Sequence, residues 1–131
     1  MKKILVVAAI IKKDNKILIV QRKTNCKREP NKWEFPGGKI EIGERPEQCL
    51  IREIKEELDL DIVVGELFGE SSKKYEDEEI GISYYFAKLK NNNKPKLIEC
   101  QDVRWVLLEE LCTYDFASAD MQIPRLLILN K

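Results

Sequence analysis

The sequence predicts an α/β (α+β) domain in which a mixed sheet is flanked by helices. Two runs rich in Ile, Val and Leu, Lys3 to Ile11 and Lys16 to Arg22, read as strands, and Arg45 to Leu60 carries the spacing of an amphipathic helix. Strand-like and helical patterns then alternate to the end, which is the signature of helices packed on a sheet and not of two separate layers of one kind. At 131 residues the chain fits one domain, residues 1–131, large enough to bury a core.

The opening MKKILVVAAII imitates a leader peptide, but Lys12, Lys13 and Asp14 follow without a small-residue cleavage site and the apolar run is too short to span a bilayer. It reads as a buried strand. Asp14-Asn15 favours a tight turn, so the first two runs form a hairpin. Lys23 to Lys32 is polar, with Asn25, Pro30 and Asn31, and reads as a loop. Trp33-Glu34-Phe35 is a short extended piece before Pro36-Gly37-Gly38, where a sharp turn and a close approach of backbone to a ligand are both allowed.

The helix begins near Arg45, since Pro46 suits a first helical position and Glu47 sits on the positive end of the dipole. At about 100° per residue, Leu50, Ile51, Ile54 and Leu58 share an arc that should face the core. Glu53, Glu56 and Glu57 occupy the adjoining arc, with Arg52 at its edge. Like charges three and four residues apart repel one another, and a hard divalent cation would remove that cost. Farther on, Asp61 to Phe68 and Ile80 to Leu89 read as strands separated by the charged segment Lys73 to Glu79. Lys90 to Lys96 is a turn or exposed loop and Val103 to Leu107 a short strand. Glu109 to Cys112 can form one helical turn, and Asp120 to Leu129 reads as a closing helix with Asp120 as N-cap.

The 23 basic and 23 acidic side chains cancel, and no long basic block stands out. Neither a nucleic-acid polymer nor a membrane surface is indicated as a partner. Cys26, Cys49, Cys100 and Cys112 are scattered without a CxxC pair, and the chain has no histidine, so no zinc site is built. Free thiols imply a cytoplasmic protein. Without histidine, acid-base work falls to carboxylates, lysines, tyrosines or metal-bound water.

The stretch GKIEIGERPEQCLIREIKEELDL, Gly38 to Leu60, resembles the Nudix box, G-x5-E-x7-R-E-U-x-E-E-x-G-U with U a bulky aliphatic residue. Gly38, Glu44, Arg52, Glu53, Ile54, Glu56, Glu57 and Leu60 fall on the pattern without gaps, and the one departure is Asp59 in place of glycine. That glycine serves a helix C-terminus, where aspartate is a tolerated second choice for a left-handed residue. The resemblance implies the Nudix fold, an α/β/α sandwich, and Mg²⁺ (or Mn²⁺) held by Glu53, Glu56 and Glu57, with Gly38 and Glu99 completing the metal set. Arg52 would orient the cluster through ion pairs, Glu44 would support it, and Gly37 and Gly38 would let backbone approach the site.

Outside the box, the opening strands, NKWEFPGGKIEIGERPEQC, ECQDVRW and FASAD are similar to the MutT branch. That similarity implies a nucleoside triphosphate pyrophosphohydrolase, of the 8-oxo-dGTP diphosphatase or CTP pyrophosphohydrolase type, serving to cleanse the nucleotide pool for DNA replication and repair. The expected partner is a nucleoside triphosphate, and the chain would act as a monomer or homodimer. Glu99 is a metal ligand or general base, or an ordinary loop carboxylate. Arg22 or Lys23 would contact substrate phosphates. Phe35 packs on a base or belongs to the core. Asp120 reads the base or caps the last helix; as an ionised acceptor it suits the adjacent donors of a guanine-type edge. Other nucleoside diphosphate derivatives remain alternative substrates. A non-catalytic nucleotide sensor of the same fold would be expected to lose box glutamates, and here all are present.

Overall fold

The structure, a computed structural model, describes residues 2–130. Its elements in order are β1 (Lys2–Lys13), β2 (Lys16–Gln21), β3 (Trp33–Glu34), β4 (Gly37–Lys39), α1 (Pro46–Leu58), β5 (Ile62–Lys74), β6 (Glu78–Leu89), β7 (Asp102–Leu107) and α2 (Ile123–Leu129). Two 3-10 turns, Leu108–Thr113 and Ser118–Asp120, lie between β7 and α2.

The β1–β2 hairpin turns at Asp14, whose φ of +56° is left-handed and open to aspartate. Only Lys12↔Ile17 and Lys13↔Lys16 are paired between these strands before they part. Into the opening come two short strands: β4 runs antiparallel to Val6–Ala8 of β1, and β3 pairs with Val20 and Gln21 of β2. On its other edge β1 pairs parallel with β6, β6 pairs antiparallel with β5, and β2 with β7. The sheet is therefore mixed, with the path β3-β2-β1-β6-β5, and it splits where β4 enters.

Both faces of the central strands are covered. Val7, Ala9 and Ile11 of β1 and Leu18 and Val20 of β2 pack with Cys49, Leu50, Ile54 and Leu58 of α1. Ala8, Ile10, Ile17 and Ile19 point the other way, toward Leu111, Phe116, Ile123 and Leu127. This period of two, apolar on both sides, explains the unbroken aliphatic runs. Among the described residues no helix is long and apolar enough to cross a membrane.

Four expectations need correction. The chain bends at Pro36, but Gly37 and Gly38 make no turn and are strand residues, and a Cβ on Gly37 would stand 1.9 Å from the Val7 carbonyl oxygen. The charged segment between β5 and β6 belongs mostly to the strands, because β6 is paired along its length with β1 and carries β5 out to Lys74↔Glu79. Ile51 is 44% exposed, whereas Cys49, on the opposite flank of Leu50, is fully buried, so the core-facing arc is rotated toward Cys49 and Glu57. Finally, α2 begins at Ile123 with Gln122 as its N-cap, so Asp120 does not cap it.

Candidate active site

Helix α1 presents its glutamates beside the split in the sheet. Arg45 is its N-cap, and the Arg45 N–H donates to Gln48 Oε1 at 3.0 Å while Pro46 opens the first turn. At the other end Asp59 adopts φ +54°, the left-handed conformation for which glycine is the usual residue, and its N–H donates to Lys55 O at 3.0 Å. Lys55 and Lys96 each lie 3.1 Å from the Asp59 carboxylate. The departure from the box pattern therefore keeps the cap geometry and adds two cations to its side chain.

Arg52 is the hub of the acidic face. Its Nε and Nη2 donate to the two oxygens of Glu44 at 2.7 and 3.0 Å, and its Nη1 donates to Glu53 Oε1 at 2.9 Å and more loosely to Glu56 at 3.3 Å. Bidentate pairing of this kind fixes orientation in a way that lysine does not. Arg52 and the Glu41 N–H hold the Glu44 carboxyl down to about 2. Glu53 is pushed up by burial, against the pull of Arg52, with Glu56 and Glu99 adding to the rise.

Glu57 is the anomaly. It is 8% exposed and its Oε2 has no hydrogen-bond partner. Burial first, then the charges of Glu34, Glu53 and Glu99, push its carboxyl up to about 9, opposed by a hydrogen bond from the Gly37 backbone. Gly38 lies against Glu53 so closely that a Cβ there would stand 2.2 Å from the carboxylate carbon. Glu99, exposed in the loop before β7, is within electrostatic reach of both Glu53 and Glu57. With Arg52 drawing Glu53 and Glu56 toward itself and Glu57 turned inward, no three acidic or thiol groups among the described residues stand close enough to hold a metal as they are. The donor set still fits one: Glu53 and Glu57 feel each other's charge and that of Glu99, one oxygen is orphaned, and glycine leaves the approach open.

On the other side of the split, a cavity of about 150 Å³ is lined by Val6, Arg22, Arg28, Glu34, Tyr75 and Asp120, among others. The backbone from Glu34 to Gly38 links the two places. At one end the Phe35 N–H donates to Asp120 Oδ2 at 3.1 Å, and at the other Gly37 bonds Glu57. A larger hollow of about 630 Å³ beside Leu5 and Ser72 reaches none of the box glutamates.

Around the cavity the expected residues divide. Arg22 lines it, paired with Glu34 at 3.0 Å and donating to Arg28 O at 3.1 Å, whereas Lys23 is exposed outside it. Phe35 is 3% exposed, stacked on Phe116 at 5.3 Å and edge-on to Tyr84, so its ring belongs to the core and has no open face for a base. Asp120 is 4% exposed and has Tyr84 Oη in a short hydrogen bond. Sequence reasoning missed Glu34, Tyr84 and Glu29. Glu34 left a signal, a lone charge between two aromatic residues; Tyr84 and Glu29 left none. Glu29 accepts from Ser118 N and Oγ at 2.7 and 2.6 Å and from Tyr75 Oη at 2.8 Å, tying the loop after β2 across the cavity.

The NUDIX domain family model matches residues 1–126. The chain belongs to the Nudix family. Over 92% of its length, and 92% of the relative's, it is 32% identical to the 8-oxo-dGTP diphosphatase of Escherichia coli K12. It is 35% identical to the CTP pyrophosphohydrolase of the same organism, over 94% of this chain and 90% of that one. The solution structure of the DNA mismatch repair protein MutT (family Nudix hydrolase) from methicillin-resistant Staphylococcus aureus 252 superposes with a TM-score of 0.79, at 36% identity and 100% coverage of both chains. The mixed α+β architecture is thus that of the MutT structures, and the chain is a Nudix hydrolase. Nudix hydrolases in general act with divalent metal ions.

Proposed function

We propose that this Nudix hydrolase splits a nucleoside triphosphate into the monophosphate and pyrophosphate, with Mg²⁺ or Mn²⁺ held by Glu53, Glu56 and Glu57 together with Gly38 O and Glu99. The observation that carries this reading is Glu57, a buried carboxyl with an orphaned oxygen among three other carboxylates. A bound divalent cation would neutralise phosphate charge, lower the pKa of water and align the leaving group. The chain's own residues supply the rest. Arg52, locked on Glu44, keeps Glu53 and Glu56 from splaying apart. Glycine at 37 and 38 lets the phosphates pass close to backbone. Water attacks the β-phosphorus, the bond from that phosphorus to the oxygen bridging to the α-phosphate breaks, and the bridging oxygen leaves with the monophosphate. The proton released by water passes to a carboxylate of the set formed by Glu99 and the box glutamates.

The nucleoside then lies toward Asp120, with Arg22 near the phosphates and Phe35 contributing through its backbone and not its ring. An ionised Asp120 favours the paired donors of a guanine-type base, and the similarity to an 8-oxo-dGTP diphosphatase supports an oxidised purine as substrate. A second reading, a cytosine triphosphate, is supported by the 35% identity to a CTP pyrophosphohydrolase; burial pushes Asp120 up to about 7, so where its proton points bears on the choice between the two. Pyrophosphate release from 8-oxo-dGTP, dGTP and CTP, measured with Mg²⁺ and with Mn²⁺, tests the assignment. The Glu56→Gln, Glu57→Gln double variant should retain the fold and lose turnover; undiminished release would overturn the metal site.

A further inference from the structure

We propose that Tyr84 is a positioning residue for base selection, its hydroxyl holding any proton on Asp120 away from the cavity so that Asp120 shows a bound base acceptors only. The proposal rests on the reading of Asp120 as the group that contacts the base, and it follows from counting protons.

Tyr84 Oη reaches three partners: Asp120 Oδ1 in a short contact, Ala119 O at 3.1 Å and Ser71 Oγ at 2.9 Å. A phenol has one proton to give, and its oxygen can also accept. Ser71 can donate to it. Ala119 O can only accept, and so can an ionised Asp120, so one phenol proton cannot serve both. Protonation of Asp120 on Oδ1 satisfies all of them: Oδ1–H donates to Tyr84 Oη, and Tyr84 donates to Ala119 O. A proton on Oδ2 would still leave one phenol proton to serve both Oδ1 and Ala119 O, so Oδ1 is the site that satisfies every partner, and Oδ2 accepts the Phe35 N–H at 3.1 Å.

Tyr84 cannot swing away to release this arrangement. It is fully buried on β6, its backbone in register with Ala8 of β1 and Gly69 of β5, and its ring meets Phe35 edge-on with centroids 6.0 Å apart. Charged groups reach Asp120 from each neighbouring element: Glu34 on β3, Glu29 in the loop after β2, and Arg22, Arg28 and Lys73 around the cavity. Burial and the two glutamates place Asp120 near neutrality, where both protonation states are populated at ordinary pH. With Tyr84 present, the lone pairs left toward the cavity accept in both states. A guanine-type edge offers N1–H and the N2 amino group, whereas cytosine offers one amino donor beside an acceptor. Selection of donor-rich bases therefore persists while Asp120 titrates.

The test is the ratio of kcat/KM for dGTP to that for CTP, followed from roughly pH 6 to 8.5, in the wild type, Tyr84→Phe and Asp120→Asn. The two substrates share a triphosphate, so titration of the box carboxylates cancels in the ratio. In the wild type the ratio should stay constant within about twofold, whereas in Tyr84→Phe it should fall about tenfold toward low pH, the size of one net hydrogen bond. Asp120→Asn should move the ratio and leave it independent of pH. A flat Tyr84→Phe profile together with a shifted Asp120→Asn ratio overturns the role of Tyr84. An Asp120→Asn ratio equal to the wild type overturns base reading by Asp120 itself. Should Tyr84→Phe not fold, the wild type decides: the ¹³C shifts of Tyr84 Cζ and the Asp120 carboxyl should titrate with one midpoint, and a Tyr84 signal that does not move refutes the proposal.

Discussion

Replacing Glu57 by glutamine should remove a pH dependence of stability that one buried carboxyl imposes on the metal-free protein. The folded state holds the Glu57 proton up to about 9, whereas the unfolded chain releases it near the ordinary value of 4.5. Between those limits the native state binds more protons, so stability is full below the unfolded value and falls as pH rises toward the folded one. One proton difference is worth about 1.4 kcal/mol per pH unit, so about 3 kcal/mol is lost between roughly pH 6 and pH 8. Urea unfolding in a chelator should show the midpoint dropping over that range. Asp120 and Glu53 add slopes of the same sign, because their carboxyls are raised too. The difference between wild type and Glu57→Gln isolates Glu57, since glutamine keeps the shape and cannot ionise. Added Mg²⁺ should restore the wild type at the upper end of the range and leave the variant less affected, because a bound cation replaces the proton. Equal pH slopes in the two proteins would refute the assignment of a buried, protonated Glu57.

Arg52→Lys exchanges a fork that grips Glu44 and Glu53 together for a single point charge. Metal-supported turnover should fall about 10- to 100-fold at fixed metal concentration, with partial recovery at higher Mn²⁺; unchanged metal dependence would exclude an orienting role. Gly38→Ala and Gly37→Ala should separate function from folding. The first Cβ meets a side-chain carboxylate that can turn aside at the cost of activity, and the second meets the Val7 backbone, which cannot move without breaking the β1–β4 pairing. Thermal unfolding should therefore be close to wild type for Gly38→Ala and shifted down by about 2 kcal/mol or more for Gly37→Ala.

Much of the candidate site was legible because α1 is a local object. Helical period alone sets Glu53, Glu56 and Glu57 beside a buried arc, and Pro46 and Asp59 mark its ends where the chain places them. The error at Ile51 shows the limit of that reasoning. Apolar character named the arc, but the cysteine at 49 fills the contact with the sheet, and a cysteine behaves as a small apolar residue when buried. The glycines were read as allowing a sharp turn and a close approach of backbone to a ligand; the close contacts they make are with the Val7 backbone of β1 and with Glu53 of α1. Nothing in the local pattern announces those contacts.

By itself the sequence determined the main strands and the acidic helix with Arg52 at the edge of its glutamate arc, which depend on residues a few positions apart. The tertiary structure decided everything that requires distant segments to meet. It buried Glu57 and left its oxygen without a partner, took Phe35 into the core, freed Asp120 from the helix cap and set it against Tyr84. The physical reason is that desolvation and hydrogen-bond geometry are properties of a place in the fold. A carboxylate in a sequence carries only its ordinary pKa, and the packing around Glu57 and Asp120 makes the one a buried carboxyl with an unpartnered oxygen and the other a group poised between two protonation states.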